Sequence, residues 1–298
     1  MTAASLSGAP VAKVLRAELE NRVSELAAKG IVPGLAVVVA TDNESTHWYV
    51  RSIAKAAAKA GVDCRIIDLG PSASSAQLKT MLTELSEDRQ THGIILQTPL
   101  PDGVQVDELV PNIEPGKDID GANPLSLGRL AVGLPAFAPA TARAVVEMLA
   151  HYGVPIDGRH VAVVGRSAVV GKPLLHLLLE RNASVTICHS RSRPLEDYTR
   201  AAGVVVVATG RPGLVTDRHV APGAVVVDVG TNVLEDGALV GDVDARSVEQ
   251  VASALSPVPG GVGTITTALL LLHTAVAARA AADTEGALVS SGIVRSLG

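Results

Sequence analysis

Seven short apolar runs rich in β-branched residues recur along the chain, with helix-patterned stretches between them. They are LAVVVA (35–40), CRIIDL (64–69), GIILQ (93–97), HVAVVG (160–165), SVTIC (184–188), VVVVA (204–208) and AVVVDV (224–229). A strand that is apolar along its whole length must be covered on both faces, as in a parallel sheet sandwiched by helices. Helical patterns occupy about 10–29, 46–60, 74–87, 142–152, 171–181 and 244–253. Repeated strand–helix units of this kind predict an α/β fold built on parallel sheets.

The 298 residues suit two such domains. The Pro/Ala-rich stretch LPAFAPATA (134–142) and the strand opening after Gly158-Arg159 place the break. The expected domains are 1–140 plus 264–298, and 141–263. The apolar run near 267–281 is shorter than the ~20 residues a membrane span needs and carries His273, so it reads as a buried helix packed on the first domain. The polar tail after Asp283 is expected to be loosely ordered. Only five residues are aromatic (Trp48, Tyr49, Phe137, Tyr152 and Tyr198). Cores must therefore be filled by Ala, Val and Leu, and an aromatic platform for nucleic acid or a membrane belt is excluded. A net charge of −5 argues against a polyanionic partner. Cys64 and Cys188 stand far apart, giving neither a disulfide framework nor a CxxC metal site, so no metal is expected. The N-terminal stretch lacks the apolar core of a signal peptide, and a cytoplasmic location is expected.

Strand HVAVVG runs into GRSAVVGKP (165–173) and then an apolar helix. Gly165 and Gly171 let the backbone approach a pyrophosphate, with Arg166, Ser167 and the helix N-terminus favouring negative charge. The spacing is GxSxxxG rather than GxGxxG, and a tight turn that binds nothing remains the alternative. A dinucleotide fold that prefers NAD usually has an acid at the end of its second strand. Here that strand ends in His189-Ser190-Arg191-Ser192-Arg193, with no carboxylate. Together with Arg166 this cluster suits a ribose phosphate, and NADP is the expected cofactor. Two later strands end in glycine turns, ATGRPG (208–213) and DVGTN (228–232), where ligands of α/β sheets gather.

In order and spacing, these segments resemble the methylenetetrahydrofolate dehydrogenase/methenyltetrahydrofolate cyclohydrolase family. The matching stretches also include TDNESTHWYV (41–50), GIILQTPLP (93–101), PGKDIDGANPLSLGRL (115–130), DVGTNVLEDGALVGDV (228–243) and PVPGGVGTIT (257–266). The resemblance implies two α/β domains with a cleft between them, the second a Rossmann-type dinucleotide-binding domain. It implies a homodimer, NADP in the second domain and a tetrahydrofolate derivative as substrate; composition and charge give no expectation of a nucleic-acid or membrane partner. Carried over by position, Tyr49 lies along the folate aromatic ring, Gln97 is the polar partner of the hydrolytic site, and Asp120 pairs with the pterin. An acceptor carboxylate suits a donor-rich pterin edge. Asp118 is the nearby alternative and reads as structural. Pro259, Gly260, Gly261 and Thr266 belong to the substrate wall. Gly165, Arg166, Ser167, Gly171, Ser190, Arg191, Thr209, Gly210 and Thr231 belong to the cofactor site.

The chain departs from the family at one chemical position. The family pattern is Tyr-Val-x-x-Lys, whereas this chain reads Tyr49-Val50-Arg51-Ser52-Ile53. At roughly 100° per residue, position +4 lies about 40° from Tyr49, while Lys55 lies near 240°, on another face. Arg51 points elsewhere and is too basic to shuttle a proton. Hydride transfer depends mainly on positioning. Hydrolysis needs managed water and protons, which an isoleucine cannot supply. The expectation is an NADP-dependent dehydrogenase that oxidises methylenetetrahydrofolate, with cyclohydrolase activity weak or lost. Milder changes are Thr41, Thr46, Ala140, Ala142, Ala144, Thr231 and Thr264. They leave open a repurposed paralogue acting on another folate one-carbon adduct, a full bifunctional enzyme, or a non-catalytic folate/NADP-binding protein. An unrelated NADP dehydrogenase would need an acid/base such as His47, which reads as structural.

Overall fold

The computed structural model describes residues 2–234 and 236–290. In chain order the first elements are β1 (Ala4–Ser5), α1 (Gly8–Ala27), β2 (Gly34–Val39), α2 (Glu44–Lys59), β3 (Asp63–Asp68), α3 (Ser75–Glu87), β4 (Gly93–Leu96), α4 (Val106–Leu109) and α5 (Pro124–Ala131). There follow α6 (Ala140–His151), β5 (His160–Val164), α7 (Gly171–Leu179), β6 (Ser184–Cys188), α8 (Glu196–Thr199), β7 (Val204–Val207) and β8 (Val225–Asp228). The last are β9 (Asn232–Val233), β10 (Leu239–Val240), α9 (Ala245–Val248), β11 (Ala254–Leu255) and α10 (Val262–Ser290).

The chain divides into two compact units. One is Leu15–Ser126 with the chain from Leu270 onward. Its sheet has three parallel strands in the order β3-β2-β4. The central strand β2 is buried at all six positions, as its unbroken apolar run requires. The edge strand β3 is not, and Ile66 is 41% exposed. Ala36, Val38, Leu78, Leu82, Ile94 and Leu109 form part of one core against α3 and α4. A capping box between Ser74 and Gln77 starts α3. Asn43 starts α2: its Oδ1 accepts from the backbone N–H of Thr46 at 3.0 Å and from the Ser45 hydroxyl at 2.6 Å.

The other unit takes residues up to Val14 and Leu127–Leu269. Its six-stranded parallel sheet has the order β1-β11-β8-β7-β5-β6. An antiparallel β9–β10 hairpin stands apart from it. The core is made of small aliphatics, among them Ala162, Val205, Val207, Val226 and Val248.

The α/β class and the parallel sheets agree with the sequence reading, but the compact units break at other places than 140 and 263. β1 pairs with β11, and the Gly8 N–H donates to Gly260 O at 2.7 Å. The Tyr152 hydroxyl donates to Ser7 O at 2.8 Å. These bonds join the first residues to the second sheet. The two-residue strands β1 and β11 carry no periodic signal long enough to read. The length argument about the last apolar run also needs correction. α10 holds a 23-residue stretch, Val262–Thr284, long and apolar enough to cross a membrane, yet 61% of the 18-residue window within it that has mean hydropathy 1.5 is buried in the protein. The helix continues to Ser290, through residues expected to be loose, and the rest of that tail lies outside the described residues.

Asn43→Ala removes the α2 cap. The expected cost is about 1 kcal/mol of stability, read by denaturant unfolding.

Candidate active site

The larger sheet carries a strand–turn–helix that only glycine can close. Gly165 follows β5 with φ +129°, and a Cβ there would lie 2.1 Å from Ala208 O. A Cβ on Gly171, at the start of α7, would lie 2.1 Å from Gly165 O. The Ser167 hydroxyl accepts from the Val170 N–H at 3.1 Å and shapes the turn. After β6, the His189 N–H donates to Ser192 Oγ and the Arg191 N–H to His189 Nδ1, both at 3.1 Å. These two turns and the end of β7 surround a cavity of about 520 Å³.

Of the residues singled out from the sequence, Gly165, Arg166, Ser167, Ser190 and Thr209 line this cavity. Gly171 closes its turn from behind, and Arg191 and Gly210 belong to the same loops without lining it. Thr231 is exposed beyond β8 and lies outside it. Arg193, Arg211 and Arg218 add to Arg166, against the single carboxylate of Glu196. Arg211 and Arg218 carried no signal in the sequence, because they reach the cavity from loops distant in the chain. Four guanidinium groups and the Ser190 and Ser192 hydroxyls give a donor set that fits phosphate groups.

Two acidic residues of the DVGTN and GDV segments hold the floor. Asp242 Oδ2 accepts from the backbone N–H groups of Thr209 at 2.5 Å and Gly210 at 2.9 Å, and Oδ1 accepts from Asn232 Nδ2 at 2.9 Å. Asp228 accepts from the N–H groups of Gly230, Asp242 and Val243 at 2.9–3.0 Å. Its carboxyl is pushed up to about 6, chiefly by burial, against the pull of those three N–H groups and with Asp242 beside it. The glycines between are forced: a Cβ on Gly241 would lie 1.8 Å from Asp228 Oδ2, and one on Gly230 would lie 2.3 Å from the Asp242 carboxyl carbon. Sequence reading treated these segments as glycine turns and missed both carboxylates. The available signal was a pair of acids, Asp242 beside Gly241 and Asp228 two residues before Gly230.

In the smaller-sheet unit, Tyr49 is half-buried on α2, one residue after Trp48, which is 68% exposed. Ile53 is wholly buried on the face that also buries Thr46, Val50 and Ala57. Gln97 follows β4, half-buried, its side chain donating to Thr98 O at 3.0 Å. Its backbone N–H donates to Val38 O of β2. Asp118 pairs with Ile94 in an isolated parallel bridge, and Asp120 lies in the turn that follows it. Gln97, directly after β4, stands at the carboxyl edge of this sheet, where α/β folds place ligands. Asp118 is buried and accepts from the N–H groups of Asn123 at 2.7 Å and Ala122 at 3.1 Å. Burial raises its carboxyl, and those bonds oppose the shift. It ties down the turn that carries Asp120, the structural role expected for it. His273 Nδ1–H donates to Ile119 O at 2.8 Å and braces the same turn.

Pro259, Gly260, Gly261 and Thr266 lie in the larger-sheet unit. Gly260 has φ +100°. Thr266 is buried and spends its hydroxyl on Val262 O. His47 lies on α2 with Nε2 bonded to Thr41 O, a structural placement. Among the described residues no group of three or more His, Cys, Asp or Glu is placed to hold a metal ion.

A doubly wound parallel sheet, a glycine-closed strand–turn–helix and a cationic cavity at its carboxyl edge define a dinucleotide-binding α/β protein. The catalytic-domain model of the tetrahydrofolate dehydrogenase/cyclohydrolase family matches residues 6–120, and that family's NAD(P)-binding-domain model matches 139–282. The chain belongs to this family of enzymes. It is 64% identical over 279 residues to bifunctional protein FolD 1 of Paenarthrobacter aurescens (strain TC1), covering 94% of this chain and 95% of that protein. The crystal structure of the bifunctional methylenetetrahydrofolate dehydrogenase/cyclohydrolase FolD of Campylobacter jejuni is similar, with a TM-score of 0.89 at 37% identity over 92% of this chain and 98% of that one. So is the Trypanosoma brucei enzyme, complexed with NADP cofactor and inhibitor, with a TM-score of 0.88 at 35% identity over 94% and 98%.

Asp242→Ala strands the Thr209 and Gly210 N–H groups at the cavity. Cofactor affinity is expected to fall about tenfold, read by titration calorimetry. A carboxyl raised in the folded state stabilises most when protonated. The contribution of Asp228 is therefore complete below about pH 4 and lost as the pH rises through about 6. Thermal unfolding from pH 5 to 7 is expected to show the protein losing stability relative to Asp228→Asn, by no more than ~3 kcal/mol.

Proposed function

We propose that the protein oxidises methylenetetrahydrofolate to methenyltetrahydrofolate with NADP, and that its cyclohydrolase activity is weak or lost. The single observation behind the second half is Ile53. It is fully buried four residues after Tyr49, at the position where the family pattern has lysine. Lys55 stands exposed on another face of α2 and does not replace it.

On this reading Asp120 accepts hydrogen bonds from the pterin amino and ring N–H groups. Tyr49 lies along the p-aminobenzoyl ring, and Gln97 offers its amide to the one-carbon centre. When bound, NADP supplies the hydride acceptor. Arg166, Ser190, Ser192 and Arg193 would hold its phosphates, and the Thr209–Gly210 turn, tied by Asp242, would bound its site. The hydride leaves the methylene carbon as a folate nitrogen lone pair closes the amidinium, so the chain's part is to hold and orient. Hydrolysis differs. Water must add to the methenyl carbon and a proton must pass to the nitrogen that leaves. That is work for a tunable amine, and Ile53 has no group to offer. The active species is proposed to be a homodimer, as the resemblance implies, working in the cytoplasm.

The names of the relatives favour a second reading, the complete two-step enzyme, with water managed by other groups. One assay separates them. Methylenetetrahydrofolate and NADP are added to the wild type and to Ile53→Lys, and NADPH, methenyl and formyl products are followed. The expected result is NADPH formation in the wild type with methenyl product accumulating, and at least tenfold faster formyl appearance in the variant. Rapid enzyme-dependent formyl formation by the wild type would establish the two-step enzyme instead.

A further inference from the structure

We propose that His273 of α10 is a positioning residue for the folate substrate: its bond to the Ile119 carbonyl orients the peptide unit from which Asp120 extends. The proposal rests on the folate reading of Asp120 above and names a residue on which that reading depends.

His273 stands in the run LLLLHTAVAA (269–278), whose leucines and alanines are all buried. A helix satisfies its own backbone, so nothing in the folding of α10 asks for an imidazole there. A half-buried ring N–H in such a run needs a partner. The neighbouring Thr274 spends its hydroxyl inside the helix, on Leu270 O at 2.9 Å. His273 reaches out of the helix instead, to Ile119 O, 154 residues earlier, at 2.8 Å. A carbonyl only accepts, so Nδ1 carries a proton whether the ring is neutral or charged.

Three observations tie this bond to Asp120. First, the Ile119 carbonyl and the Asp120 nitrogen belong to one planar peptide unit, so holding the oxygen orients the unit. Second, Ile119 has little room to shift. Its side chain is wholly buried. A Cβ on Gly93, at the start of β4, would lie 2.8 Å from Thr274 Oγ1 and 3.1 Å from two carbons of the Ile119 side chain. Helix, strand and turn are thus in close contact at this point. Third, the other bonds of the turn are local. The Gly121 N–H donates to Asp118 O at 3.1 Å, and the Asp118 carboxyl takes the N–H groups of Ala122 and Asn123. They close the turn on itself, whereas the His273 bond fixes it against α10. A carboxylate that must meet two N–H groups of a flat ring tolerates little rotation. His273 therefore acts through Asp120 and not on the substrate itself.

The test uses the full chain and its His273→Leu, His273→Asn and Asp120→Asn variants. Asparagine offers an amide N–H near the place of Nδ1–H, and leucine offers none. In His273→Leu the KM for methylenetetrahydrofolate is expected to rise about fivefold, while kcat and the KM for NADP hold. His273→Asn is expected to bring that KM back to within about twofold of the wild type. Calorimetry with tetrahydrofolate should show the same loss of about fivefold in Kd for His273→Leu, but a further loss of less than about twofold when Asp120→Asn is already present. A wild-type KM in His273→Leu, an asparagine variant as weak as the leucine one, or the full loss on top of Asp120→Asn would overturn the proposal. If the leucine variant does not fold, His273→Phe takes its place. An unchanged Kd in Asp120→Asn would overturn the folate reading of Asp120 and the positioning role with it. If the wild type binds tetrahydrofolate but turns nothing over, the dehydrogenase reading has failed, and the Kd series alone decides the role of His273.

Discussion

A carboxylate taken out of water must find donors, and in this protein it finds them in the backbone of the turns that bear function. Asp242 and Asp228 accept from the N–H groups of Thr209, Gly210, Gly230, Asp242 and Val243, and so hold the loops after β7 and β8. Asp118 does the same for Ala122 and Asn123 in the turn that carries Asp120. Each clasp leaves no room for side chains beside it, which accounts for Gly230 and Gly241. Turns with little apolar surface of their own are thereby held as firmly as the strands they follow, and the residues they carry are placed before any ligand arrives.

α2 has several tasks at once. Asn43 sets where it begins, and that phase decides which side chain faces which way. Thr46, Val50, Ile53 and Ala57 turn inward, Tyr49 sits at the margin, and Trp48, Lys55 and Lys59 turn outward. Isoleucine costs nothing at the buried position, whereas a lysine there must be desolvated or find partners. The same burial that makes lysine tunable for proton transfer makes its loss gain packing.

The apolar strands and the glycines at 165 and 171 were legible because each rests on a local pattern: an unbroken apolar run or a spacing in a turn. The phase of α2 was legible for the same reason, from 100° per residue. What escaped was non-local. β1 and β11 are two residues each and exist only by pairing with β11 and β8, respectively. Arg211 and Arg218 reach the nucleotide cavity from the chain after β7, distant in sequence from Arg166. Asp242 looked like one acid among many until its partners, more than thirty residues away, came beside it.

The sequence by itself determined the class of fold, the family and the isoleucine at position 53, because hydrophobic period, motif spacing and residue identity are properties of neighbouring positions. Tertiary structure alone decided that residues 2–14 belong with the larger sheet, that Ile53 is sealed from solvent, and that Asp242, itself held by Asp228, clasps the Thr209–Gly210 turn. Those are facts of burial and of hydrogen bonds between distant residues, and they come into being only when the chain has closed on itself.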